Sequence, residues 1–251
     1  SSATTGVIYK NGSSFIHNFS HPTGSTAAPI GQNVFIGLSA GNFTMGSTAT
    51  LNSDASYNVG VGQQALQANA LGSANTAVGR AALGSNTDAV DNVAIGNMSL
   101  YSVTTGSRNT AVGSQSGYGG GGNYASTIDR NMLFLGNFAT RDPSILTSTM
   151  LQNSAAIGYG ATVGASDAIV LGGTSVYQVN VGIGTHTPLA GLHLGIGAPN
   201  AMPVANRDDL YVVGNIEFDG KIYGDGSALT GISSGITGLT TNYLTKATSA
   251  T

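Results

Sequence analysis

Apolar and polar positions along this chain recur with a long period. Asn58, Asn75, Asn92 and Asn109 stand seventeen residues apart, and Gly62, Gly79, Gly96 and Gly113 follow each of them by four. The intervening residues are "VGV", "TAV", "VAI" and "TAV". Leu66, Leu83 and Leu100 hold the ninth position of the motif, which Gly117 breaks. Looser copies flank the block. "NVFIGLSAG" (33–41) precedes it by twenty-five residues. "NMLFLGNFA" (131–139) and "NSAAIGYGA" (153–161) follow, each with one extra residue between Asn and Gly. "DAIVLGG" (167–173) and "NVGIG" (180–184) close the series.

One such copy is too short to fold alone, because its few small side chains do not offset the backbone entropy lost on ordering it. Stacked copies can fold, since each coil pairs its strands with the next and closes the edges. The adjacent apolar residues Ala77 and Val78 point to opposite faces of a strand, so both faces are covered. One face looks into the coil's own core; the other needs a second surface, which another copy of the chain would supply. Gly79 allows a tight turn or close backbone approach. An Asn at each coil start can hydrogen-bond the amide of the Asn beside it. The segment "AAL" is expected to return as a second strand, with Leu83 filling the coil.

Composition narrows the class. Of the 251 residues, 38 are Gly, 41% are hydrophobic and only 8% are charged, against roughly 25% charged in an ordinary soluble protein. The apolar content argues against disorder. The small and β-branched character of the apolar residues suits thin stacked strands. The net charge of −3 is scattered and leaves no basic patch for nucleic acid. There is no cysteine, hence no disulfide framework or thiolate chemistry. No apolar run reaches the roughly 18 residues of a membrane-spanning helix. The opening "SSATTGVIYK" lacks the pattern of a signal peptide.

The segments "NTAVGRAAL" (75–83) and "NVAIGNMSL" (92–100) resemble the head repeats of trimeric bacterial adhesins of the YadA type, a repeat that also occurs in bacteriophage tail fibres. "VNVGIGTHTPLAGLHL" (179–194) resembles the junction after the repeats in fibres with a C-terminal intramolecular chaperone of the endosialidase type. "LYVVGNIEFDGKIYGDGSALTGI" (210–232) resembles a recurrent trimeric fibre segment, and residues 9–45 resemble the opening of such fibres. These 251 residues depart from such proteins in that none of them reads as a chaperone, an adhesin stalk or a membrane anchor. The resemblance implies an all-β, elongated homotrimer: a left-handed parallel β-roll or β-solenoid of YadA-head type, followed by an intertwined β-rich neck. Independently, Asp219-Gly220 lies between two alternating runs, a hairpin signal, and Asp225-Gly226 marks a second turn.

Candidate chemistry is sparse. "GVGQQA" (60–65) matches a loose dinucleotide fingerprint, but it sits inside the repeat with no helix after it, so no cofactor is expected. His17 and His21 are weak metal candidates, because four-residue spacing on a strand puts both on one side and symmetry would gather them; no metal is expected. His186 and His193 read as linker and packing residues. Glycan hydrolysis needs two carboxylates at close range; Glu217 is the sole Glu, and Asp129 and Asp142 lie in irregular insertions. No Ser-His-Asp grouping is apparent. Ice binding needs an unbroken Thr rank, whereas Val59, Thr76, Val93 and Thr110 alternate. The remaining candidates are the two insertions, 114–130 and 138–150. They carry Tyr118, Tyr124, Arg130 and Arg141, residue types favoured at contacts. They are receptor contacts or simply long turns.

The expected organisation is a connector segment (1–32), a β-roll (33–178), a linker (179–206) and a trimeric hairpin segment (207–251). The last is expected to continue past Thr251, since terminal repeats need a cap. The expected role is a non-enzymatic fibre for attachment to a bacterial host surface, in a phage tail or related injection machine. The expected partners are two further copies, other tail or fibre proteins and a host glycan or protein. Its expected place is the virion, as a tail fibre, or the cell exterior or surface. The alternatives are an autotransporter-type adhesin and a polysaccharide-degrading tailspike.

Overall fold

A computed structural model describes residues 7–119, 128–145, 148–173, 178–188, 191–194 and 210–212. The chain divides into two units, Ser1–Tyr211 and Val212–Thr251. The expected hairpin around Asp219-Gly220, Glu217 and the second turn lie outside the described residues. Those described are all-β, without a helix.

A ten-stranded sheet dominates the first unit. β1 (Ile8–Lys10) and β2 (Ser13–His17) form an antiparallel pair, and β2 runs antiparallel to β3 (Val34–Ile36). From β3 onward every neighbour is parallel. The order continues through β4 (Val59–Val61), β5 (Thr76–Val78), β6 (Val93–Ile95), β7 (Thr110–Val112), β8 (Arg130–Leu135), β10 (Gln152–Ile157) and β12 (Ile169–Leu171). A two-stranded sheet pairs β9 (Thr140–Arg141) with β11 (Thr162–Val163). A third sheet holds β13 (Val181–Ile183), β14 (Leu192–Leu194) and β15 (Leu210–Val212). The main sheet therefore begins within residues 8–17, ahead of the first repeat.

Each regular coil contributes one three-residue strand. Its central side chain points inward, giving the column Phe35, Gly60, Ala77, Ala94, Ala111, Phe134 and Ala156, all buried. Leu66, Leu83 and Leu100 fill the interior from the other side and are fully buried. Departures from the repeat follow from volume. A Cβ at Gly60 would sit 2.8 Å from a Phe35 ring carbon, and one at Gly117 would sit 2.8 Å from a Phe134 ring carbon and 2.6 Å from Leu100 Cδ2. Wherever a phenylalanine enters the column, a neighbouring coil yields a side chain. That is why Gly60 replaces alanine and why Gly117 breaks the leucine position.

The "AAL" segment is not a strand. Ala81 and Leu83 adopt φ of 55° and 49°, as do their counterparts Gln64, Leu66, Met98 and Leu100 at similar values. Left-handed residues cannot propagate a strand, and the chain turns there instead. The conformation costs about 1–2 kcal/mol per residue. It is held by bonds between coils: Ala81 N–H donates to the Gln63 carbonyl (2.8 Å) and Leu83 N–H to that of Ser99 (3.0 Å).

Two columns tie the coils together. Asn33, Asn58, Asn75, Asn92 and Asn109 are buried and form a ladder. The Oδ1 of Asn58 accepts both the backbone N–H and the side-chain amide of Asn75 at 3.1 Å, and Asn75 does the same for Asn92. Each Nδ2 also donates across the coil, Asn75 to the Ala89 carbonyl at 2.8 Å. The ladder ends where Met132 N–H donates to Asn109 Oδ1 at 3.0 Å. Asn131 and Asn153 do not continue it. The extra residue places them one position early, left-handed and exposed. There Asn131 donates to Asn153 and Asn153 to Asp167, both at 3.0 Å. The second column is glycine. At Gly37, Gly62, Gly79, Gly96, Gly113 and Gly136, φ lies between 130° and 137°. A Cβ there would come within 2.5–2.7 Å of the carbonyl carbon of the next glycine in the column.

Two outcomes test these columns by urea unfolding. Asn75→Ala strips hydrogen-bond partners from Asn92 and Ala89, at about 1–3 kcal/mol for each buried group left unpaired. Gly79→Ala forces both the clash and a strained φ, and loses about 3 kcal/mol or more. If Gly79→Ala unfolds like the unaltered chain, coil contact at that corner is not tight.

Candidate functional site

Described residues of the two insertions, on neighbouring coils, are joined by a buried ion pair. Asp129, in the first, meets Arg141, in the second, at 3.2 Å, with both side chains almost fully buried. Asp129 Oδ1 also accepts the Leu151 N–H (2.8 Å), and Arg141 donates to the Thr149 carbonyl (3.1 Å). Burial pushes the Asp129 carboxyl above its usual range, against the opposing pull of the Leu151 amide and Arg141. Asp142 lies apart from this pair: its carboxylate accepts the Ser144 hydroxyl (2.7 Å) and N–H (2.8 Å), which hold it below the usual range.

The expected receptor contacts separate accordingly. Arg141 is corrected: it is a buried anchor between insertions, and its guanidinium does not reach the surface. Arg130 is exposed at the start of β8. Tyr124 lies outside the described residues. Tyr118 is half-buried and lines an open cleft of about 310 Å³, together with Gln115, Gly119, Phe138 and Thr140.

This cleft sits at the root of both insertions. Gln115 and Phe138 occupy the same position, two residues after the corner glycine, on successive coils. Both are left-handed, with φ of 55° and 58°. Phe138 is exposed and meets Tyr159 of the next coil edge to face, ring centres 6.0 Å apart. Tyr118 lies against Tyr101 of the preceding coil, ring centres 5.7 Å apart. Tyr101 in turn lies over Gly84, whose Cβ would meet the ring at 2.9 Å. Four aromatic rings on four consecutive coils thus border the cleft or continue its walls. Among the described residues, none that lines it is charged. Gln115, Phe138 and Thr140 fall within the two expected insertions but were not singled out there, although the seventeen-residue spacing of Tyr101 and Tyr118 was a usable signal.

The histidines belong to the opening of the sheet. β2 ends at His17, so His21 is not on the same strand. The His17 ring packs on Phe35 and Phe43, with ring centres 4.9 and 4.5 Å away. Its Nε2 donates to the Ala40 carbonyl (2.7 Å), and Nδ1 accepts the Phe19 N–H (3.3 Å). Both nitrogens are engaged, as a neutral imidazole requires. The His21 Nδ1 accepts the Gly24 N–H at 2.9 Å. Among the described residues no three His, Asp or Glu side chains cluster.

Burial lowers the His17 pKa below its ordinary value of about 6.5. A depressed folded pKa means this stabilisation is present above about 6.5 and is lost as pH falls through the folded value. An NMR titration should place the His17 imidazole below 6.5, and thermal stability should fall as the solution is acidified through that range. Titration at or above 6.5 contradicts the neutral buried ring. For the ion pair, Arg141→Met should cost about 3–5 kcal/mol by leaving Asp129 buried without its partner; the double variant Asp129→Leu with Arg141→Met should cost less. No family model, curated protein or solved structure matches this chain.

Proposed function

We propose that this chain is the shaft of a non-enzymatic trimeric fibre that attaches to a bacterial surface, in a phage tail or a related injection machine. The observation that carries the reading is the outward face of the main sheet. Flanking each buried central residue are two outward positions, and they align into two ranks. One is Ile36, Val61, Val78, Ile95, Val112, Leu135, Ile157 and Leu171, in continuous register. The other is Val34, Val59, Thr76, Val93, Thr110, Leu133, Ala155 and Ile169. The first rank has no polar member, and Val78, Ile95, Leu135 and Leu171 are each more than a third exposed.

A continuous apolar face of this kind marks an interaction surface. Because it repeats with the coils, an identical copy in the same register matches it along its whole length. Closed symmetry among like chains avoids open-ended association. Threefold packing of such faces is what the resemblance to YadA-type heads and tail fibres implies. The scarcity of charge fits a chain whose side chains serve stacking and assembly. The seam also gives the shaft its function: it holds three identical surfaces in register for a multivalent contact.

The test separates coil from seam. Val78→Asp puts a carboxylate on the outward rank, and Ala77→Asp puts one into the coil interior. Sedimentation velocity should find a trimer for the unaltered chain. Val78→Asp should give a folded monomer, since a buried unpaired charge is prohibitive at the seam but tolerated on an open face. Ala77→Asp should not fold. A monomeric unaltered chain, or a trimer that survives Val78→Asp, overturns the reading.

A further inference from the structure

We propose that the cleft at Gln115, Tyr118 and Phe138 binds a neutral saccharide chain, with the aromatic rings beside it as its platform. The proposal rests on the reading of the chain as an attachment fibre and supplies its ligand class.

Three features favour this occupant. First, the walls are aromatic. Tyr118 lines the cleft beside Phe138, and the rows continue to Tyr101 on one side and Tyr159 on the other. The C–H face of a pyranose packs on such rings, which offer area with little loss of side-chain freedom. Second, the polar groups are neutral. The Gln115 side-chain amide makes no hydrogen bond among the described residues, so its two donors and one acceptor remain for sugar hydroxyls. Among the described residues no cation lines the cleft, as a site for sialate, phosphate or sulfate would require. Third, the spacing repeats. Coils stack at the interstrand distance of about 4.8 Å, close to the length of one pyranose unit in a linear chain. Tyr101 and Tyr118 share one position on successive coils, with ring centres 5.7 Å apart, and Phe138 and Tyr159 form a second pair 6.0 Å apart, so each pair is placed to take neighbouring sugars.

The cleft is open and, at about 310 Å³, small for a ligand site. Binding at one site is accordingly weak, on the order of millimolar. Three copies on one shaft raise the effective affinity without new contacts, by about 10²–10⁴. Thr140 in the cleft wall directly precedes Arg141, whose buried pair with Asp129 anchors that part of the backbone.

The experiment uses the full chain and a panel of neutral oligosaccharides of glucose, galactose and mannose, three to six units long. Binding is read by saturation-transfer NMR and by tyrosine shifts on titration. At least one member should bind, with transfer from aromatic protons. Phe138→Ala and Tyr118→Ala should each weaken it about tenfold or more, whereas Tyr118→Phe should retain most of it. Circular dichroism and sedimentation accompany every variant. No binding across the panel overturns the proposal, as does binding that both alanine variants leave unchanged. A loss of assembly with Phe138→Ala, at unchanged sugar affinity per chain, also overturns it and makes the cleft part of the contact between copies. The fibre reading fails separately, through a monomeric unaltered chain, even where sugar binding persists.

Discussion

Hydrogen bonding between coils is the constraint from which the rest of this structure follows. In a parallel stack the N–H and C=O of each short strand find partners one coil away, never within the coil. Val59 donates to the Asn75 carbonyl, Thr76 to that of Asn92 and Val93 to that of Asn109, all at 2.8 Å. A coil without neighbours leaves most of its backbone unpaired, so stability belongs to the array. The same spacing brings backbone against backbone at every corner. The corner residue has no room for a Cβ, hence the glycine column. The buried coil start has amides with no strand partner. The asparagine ladder supplies one from the side chain, and the same side chain satisfies a carbonyl across the coil.

A coil of seventeen residues encloses little volume. Alanine from the strand and leucine from the turn suffice to fill it, and larger residues enter only where glycine makes space. Phe35 and Phe134 bracket the alanine run and mark where the regular core begins and ends. With the interior full, the outward strand positions stay apolar for a separate reason: β-branched residues favour the extended strand and leave a face that one chain does not bury. Low charge and high glycine are consequences of these packing demands.

Much of this was legible in the sequence. The seventeen-residue period located the strands β4 to β7, and the opposite facing of Ala77 and Val78 followed from strand geometry. The asparagine ladder could be foreseen because a buried Asn at a fixed coil position has one natural partner. Other features were hidden for physical reasons. "AAL" reads as a strand because alanine and leucine carry no mark of left-handed backbone; only the bonds between coils impose it. Asn131 and Asn153 open looser copies whose extra residue was visible in the sequence, but that it takes both out of the ladder was not. One inserted residue moves a side chain to the opposite face. Arg141 read as a surface contact because arginine usually is one. Its burial depends on Asp129, twelve residues away in sequence and brought close by folding. The cleft combines positions from two coils with irregular spacing, so no local motif announces it.

Regular coils give rigidity and register but few distinct surfaces. The asparagine and glycine columns repeat one residue, and the outward ranks are mostly small aliphatics, so the regular coils offer little concavity. Distinct surfaces arise where the repeat is broken, and such breaks must not unravel the stack. The breaks after β7 and β8 meet that demand. Extra residues enter between β7 and β8 and again between β8 and β10, while the parallel register across all three strands is kept. The corner glycines Gly113 and Gly136 keep their φ near 130° through the interruption. The outward turns are thus free to diverge: Gln64, Ala81 and Met98 give way to Phe138, and Gly84 gives way to Tyr101 and Tyr118. Large rings gather on one side because the sheet beneath them, bound strand to strand, does not respond to what the turns carry.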